Sequence, residues 1–140
     1  MAADRVAYWD ASAVIAALFD EDNSAAALAI AGAPGVHLLS SLARAEVEAT
    51  IARVERERRL ASVLVAAADE ALRTGPWREL RAGPSPSHLH ALSRRHGLRG
   101  ADLWHLACCV SLREELPDIA MVSFDQALVE AARGEGLPVL

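Results

Sequence analysis

The chain has 140 residues, 53% of them hydrophobic and 24% charged, with a formal net charge of −5. That length suits one domain with a single substantial core, so residues 1–140 are expected to fold as one unit. No apolar run approaches the roughly 18 residues of a membrane span, the N-terminus shows no charged segment followed by an apolar core, and the acidic total argues against a broad electrostatic grip on nucleic acid, so a cytoplasmic location without membrane contact is the expectation.

Residues 6–9, Val-Ala-Tyr-Trp, read as a short buried strand. Residues 12 to about 19 are helical in pattern, with Val14, Ile15 and Leu18 on one face. A polar turn at 20–24 can cap a second helix over 25–31, which Gly32-Ala33-Pro34-Gly35 breaks. Residues 36–39 read as a second strand. Ser40-Ser41 can cap a third helix running to about residue 60, with an apolar stripe of Val47, Ile51 and Val54 and a charged end. Another helix over 61–73 is stopped by Gly75-Pro76, and 77–83 fits either a short strand or coil. Ser85-Pro86 opens a helix to His96, with proline at an early position where its missing N–H costs little. A helix over 101–116 turns Leu103, Leu106, Ala107 and Val110 inward. Strand 119–124, helix 125–133 and a last short strand 137–140 complete the chain. Strands separated by helices imply crossover connections, hence an α/β fold: a three-layer α/β/α sandwich around a central parallel sheet.

All 14 basic residues are arginine. The two cysteines, Cys108 and Cys109, are adjacent in a helical stretch, where side chains diverge, and they read as small core residues rather than a bridge or a metal pair. There is no G-x-S-x-G, no P-loop and no G-x-G-x-x-G, which removes support for acyl transfer, nucleotide hydrolysis and dinucleotide binding.

Four acids stand where elements begin or end, or on the third helix: Asp10, Glu46, Asp102 and Asp125. In a parallel α/β fold, strand ends and helix starts share one rim, so residues distant in sequence converge there. Carboxylates gathered in one cleft repel by about 4 kcal/mol per pair at 4 Å and an effective dielectric near 20. A divalent cation makes such a cluster tolerable, and the chemistry this points to is metal-assisted phosphodiester cleavage. Each acid also has an ordinary reading. Asp10 or Ser12 caps the first helix, Asp125 caps the last, and Asp102 is a first-turn acid favoured by the helix dipole. Glu46 and Glu48 point about 200° apart, and periodicity does not choose between them. His105, one turn after Asp102, reads as a half-buried packing or hydrogen-bonding residue, because magnesium prefers oxygen ligands.

In order and spacing, the chain resembles the PIN-domain nucleases, and within them the VapC-like ribonuclease toxins of toxin–antitoxin pairs. The stretches that carry the resemblance are Trp9-Asp10-Ala11-Ser12-Ala13-Val14, Arg44-Ala45-Glu46-Val47, Leu98-Arg99-Gly100-Ala101-Asp102-Leu103-Trp104-His105-Leu106-Ala107, and the C-terminal stretch from Ser123-Phe124-Asp125 through Gly136-Leu137-Pro138-Val139. The resemblance spans nearly the whole chain; residues 55–85 match only in helical character. It implies that Glu46 rather than Glu48 joins Asp10 and Asp102 as the main acids, with Asp125 as the fourth. Ser12 falls on the small polar position that accompanies the first Asp, and Ser123 stands where the family often has threonine. The resemblance further implies a Mg2+- or Mn2+-dependent endoribonuclease, with RNA as substrate, Arg99 and Arg44 as candidate RNA contacts or partners of nearby acids, a homodimer, and inhibition by a small cognate antitoxin that brings a basic segment to the acids. Two rivals stay open. One is a non-catalytic PIN-like dimerisation or partner-binding module. The other is a phosphatase of the haloacid-dehalogenase type, which needs a second Asp two residues after the first, where this chain has Ser12.

Overall fold

The computed structural model describes residues 5–140. Its strands are β1 (Val6–Trp9), β2 (Val36–Ser40), β3 (Trp77–Leu80) and β4 (Ile119–Val122). They form one sheet in the order β3-β2-β1-β4, with every pairing parallel. The helices are α1 (Ala11–Leu18), α2 (Ser24–Ala31), α3 (Ser41–Arg56), α4 (Ser62–Thr74), α5 (Pro86–Arg95), α6 (Gly100–Leu112) and α7 (Gln126–Gly134). Helices α1 to α4 cover one face of the sheet and α5 to α7 the other, which is the expected three-layer α/β/α sandwich.

Side-chain alternation along β1 divides the core in two. Ala7 and Trp9 join Val14, Leu39, Val47 and Ile51 on the α1–α4 face. Tyr8 joins Leu106, Ile119, Met121 and Leu128 on the other. The apolar stripe of α3 is buried as its spacing predicts, at Val47, Ile51 and Val54. Each such fully buried aliphatic side chain contributes about 1.5–3 kcal/mol. Cys108 and Cys109 are buried, unbridged core residues. Among the described residues, no helix is long and apolar enough to cross a membrane.

Several boundaries differ from the sequence reading. Helix α3 ends at Arg56, one turn early. Arg58 adopts a positive φ of 52°, and the Arg59 amide reaches back to the Val54 carbonyl at 3.1 Å; the left-handed residue closes the helix without a glycine. Helix α6 stops at Leu112 rather than 116, and a turn follows it in which the Glu115 and Leu116 amides both reach the Leu112 carbonyl, at 3.1 Å and 2.8 Å. Residues 77–80 are a strand, at the sheet edge beside β2. The last strand reduces to a single parallel bridge between Met121 and Val139.

Parallel pairing aligns the C-terminal ends of β1 and β4. Trp9 lies opposite Val122, and the Asp10 amide donates to the Val122 carbonyl at 3.1 Å. The register between β1 and β2 begins at Gly35, whose φ is +130°. A Cβ there would meet the Arg5 carbonyl oxygen at 2.2 Å, and that carbonyl accepts the Val36 amide at 2.8 Å. Gly35→Ala is therefore expected to destabilise the fold by at least about 1–3 kcal/mol, read as a lower urea midpoint; a midpoint equal to the parent's would show that the turn does not set the register.

Candidate active site

Asp10 follows the last residue of β1 and caps α1, its Oδ1 accepting the Ala13 amide at 3.0 Å. It is 4% exposed. Two hydroxyls complete its surroundings. Ser12 Oγ lies 2.7 Å and 2.9 Å from the two carboxylate oxygens, and Ser123 Oγ donates to Oδ2 at 2.6 Å from the end of β4. Burial pushes the Asp10 carboxyl above its ordinary value, while Ser123, the Ala13 amide and Ser12 draw it back. Ser12 also accepts the Phe124 amide at 3.2 Å. Ser12 and Ser123 thus tie the Asp10 carboxylate to both strand ends.

Ser123 reaches the fourth acid as well, accepting the Asp125 amide at 3.1 Å. Asp125 caps α7 through Oδ1 to the Leu128 amide at 3.0 Å. Capping and placement on the shared rim coincide at Asp10 and Asp125: a side chain that caps a helix starting at a strand's C-terminal end stands on that rim.

The remaining two acids meet through α6. Asp102 is half-buried in its first turn, and Arg99 stands exposed at its N-cap. His105 follows Asp102 by one turn. It is 2% exposed, more buried than its sequence context suggests, and its Nε2 lies 2.7 Å from Glu46 Oε1 on α3. Its Nδ1 lies 2.7 Å from the Tyr8 hydroxyl. Glu48 instead faces outward, 3.6 Å from Arg44 across one helical turn in an exposed pair. Arg44 is thereby engaged away from Glu46.

Asp102 registers the convergence electrostatically. Its carboxyl is pushed up from the usual 3.8, first by partial burial, then by the charges of Asp125 and Asp10; His105 draws it down and Glu46 raises it further. All three other acids act on this one side chain. Among the described residues, no three His, Cys, Asp or Glu side chains stand in an arrangement that could hold a metal ion as they are. The donors nonetheless suit a hard divalent cation. All four are carboxylates, the charges of the other three bear on Asp102, and the nearby imidazole is already committed to Tyr8 and Glu46. Ser12 and Ser123 both direct their hydroxyls at the Asp10 carboxylate. A cavity of about 510 Å3 lies elsewhere, between the ends of α1 and α3 and the start of α4, and holds none of the four acids.

Sequence reasoning did not find Tyr8 as a neighbour of the site. The available signal was its place two residues before Asp10, on the same side of the strand.

The crowding has a thermodynamic sign. A carboxyl whose folded value exceeds its unfolded one contributes stability below the unfolded value and loses it as pH rises through the folded value. Asp102→Asn removes that loss. The variant is expected to melt higher than the parent at neutral pH, with the gain vanishing below about pH 4, near the unfolded value; thermal unfolding across pH checks this, and a gain independent of pH would contradict charge crowding at Asp102.

The family model of the PIN domain matches residues 7–134. Ribonuclease VapC45 of Mycobacterium tuberculosis (strain CDC 1551 / Oshkosh) and Ribonuclease VapC49 of Mycobacterium tuberculosis (strain ATCC 25618 / H37Rv) are each 31% identical to this chain over 140 residues, covering 94% of it and 92% of the relative. With a three-layer fold around a parallel sheet and this match across nearly its whole length, the chain belongs to the PIN-domain family.

Proposed function

We propose that this chain is a divalent-metal-dependent endoribonuclease that hydrolyses RNA phosphodiester bonds and serves as the toxin of a toxin–antitoxin pair. The observation that carries the reading is electrostatic and geometric: the Asp102 carboxyl is pushed up by partial burial and by the charges of Asp125, Asp10 and Glu46, while Ser123 joins Asp10 to the Asp125 amide and His105 holds Glu46 one turn along α6 from Asp102. The ribonuclease names of the two relatives support the reaction class. The chain acts as a single nuclease domain over 1–140, in the cytoplasm.

Asp10, Glu46, Asp102 and Asp125 would hold Mg2+ or Mn2+. When bound, the ion acidifies an attacking water and offsets charge building on the phosphate. The protein's own part is positional. Asp10 is fixed by three donors, so its oxygens need no reorganisation. Asp102 stands in the first turn of α6 and Asp125 caps α7, so each is placed by a helix start. Ser12 and Ser123 hold Asp10 rather than attack. Arg99, exposed three residues before Asp102, is placed to meet a phosphate of the RNA. The net charge of −5 and the acidic rim suit a small VapB-like antitoxin that presents arginine to the acids. A homodimer is part of the proposal.

Purified chain free of antitoxin is expected to cleave RNA with Mg2+ and to stop when the metal is chelated. Asp10→Asn and Asp102→Asn should each lower the rate by at least about 100-fold, the upper end of what even outer partners of a metal site cost, while unfolding stays cooperative. Normal cleavage by both variants would overturn the site assignment.

A second measurement needs no substrate. Mg2+ at about 100 times its dissociation constant should stabilise the parent by about 2.7 kcal/mol, seen as a rise in melting temperature, and should leave Asp102→Asn unmoved. A parent chain indifferent to magnesium and manganese would favour the non-catalytic binding module.

A further inference from the structure

Tyr8, His105 and Glu46 form a continuous chain of hydrogen bonds from the core to the acidic rim. The Tyr8 hydroxyl and His105 Nδ1 are 2.7 Å apart, and His105 Nε2 and Glu46 Oε1 are 2.7 Å apart. An ionised carboxylate only accepts, so Nε2 carries the hydrogen. The Tyr8 hydroxyl is placed to donate to Nδ1, so both ring nitrogens are engaged. The ring is further confined by edge-on contacts with Tyr8 and Trp104, at centroid distances of 5.8 Å and 5.6 Å. Asp10 and Asp125 are anchored to backbone amides as helix caps, whereas Glu46 has no such anchor. It projects from the middle of α3 on a long side chain, which otherwise has several rotamers open to it.

We propose that His105 is a positioning residue that fixes the Glu46 carboxylate toward the shared cation, and that Tyr8 fixes His105. This rests on the metal-dependent reading above and deepens it. One Glu46 oxygen accepts from the imidazole, which would leave the other free to meet the ion. His105 itself touches neither the ion nor RNA.

Manganese titration calorimetry on the full chain tests this. Asp102→Asn serves as the control for the metal site and should lose binding. His105→Ala should weaken manganese binding by about 10- to 100-fold, as partners that orient a ligand do, and His105→Gln, whose amide can take the place of Nε2–H, should recover the greater part. Tyr8→Phe keeps the ring and removes the donor, so it should weaken binding less than His105→Ala. The decisive comparison is in a Glu46→Gln background, where His105→Ala should add no further loss, because the two act as a unit. Equal losses in both backgrounds would show that His105 acts through the fold at large and would overturn the proposal. So would a His105→Ala chain that binds manganese like the parent while Asp102→Asn does not; the metal reading would then survive alone. If His105→Ala does not fold, Tyr8→Phe in the parent and Glu46→Gln backgrounds carries the same comparison with the same two outcomes. A parent chain that binds no manganese overturns the metal reading and this inference with it.

Discussion

The site rests on the Asp10 carboxylate and the parallel pairing that surrounds it with donors. Burying an anion without partners costs several kcal/mol. Here the register of β1 with β4 makes the Asp10 amide a donor to Val122, and the next residue of that strand, Ser123, then falls beside the carboxylate. The crossover from β1 into α1 brings Ser12 and the Ala13 amide to the same two oxygens. These donors do not fully offset desolvation, since the carboxyl remains raised. Two hydroxyls and one amide therefore surround a buried acid.

Caps and rim acids are one arrangement in this fold. A helix that begins at the end of a parallel strand exposes its unsatisfied amides at the C-terminal edge of the sheet. An Asp at that point satisfies an amide and points its charge at the rim in one placement. Asp10 and Asp125 both do so. Locally each residue is explained by capping alone, and only the tertiary structure shows the charges acting on Asp102. The repulsion recorded there is an energetic cost that capping does not require.

What could be read from the sequence follows from how local each signal is. Strands 6–9 and 119–122 are continuous apolar runs bounded by acids and turns, and the α3 stripe repeats at helical spacing, so these elements were legible. Trp77-Arg78-Glu79-Leu80 has two exposed polar residues, and its strand character comes from pairing with β2. Helix α3 ends at a left-handed arginine where composition offers no stop. The Asp10–Ser12 contact spans two residues and was legible. Ser123 reaches Asp10 across 113 residues and His105 reaches Glu46 across 59, and no periodicity reports on such pairs. The choice of Glu46 over Glu48 came from resemblance; the physical difference between them, a histidine on one and an exposed arginine on the other, exists only after folding.

The two faces of β1 show why one buried histidine concerns the site and another does not. Trp9 points into the α1–α4 layer and donates to His37 Nδ1 at 3.0 Å; the other ring nitrogen of His37 meets the Ala33 carbonyl at 3.0 Å. Tyr8 points into the opposite layer and meets His105. In both cases a buried aromatic donor takes one imidazole nitrogen and leaves the other as an N–H that must find an acceptor. For His37 that acceptor is main-chain oxygen, so its bonding ends inside the scaffold. For His105 it is the carboxylate of Glu46, at the rim. The same rule of polar satisfaction, applied one residue apart on one strand, closes a turn on one face and orients an acid on the other.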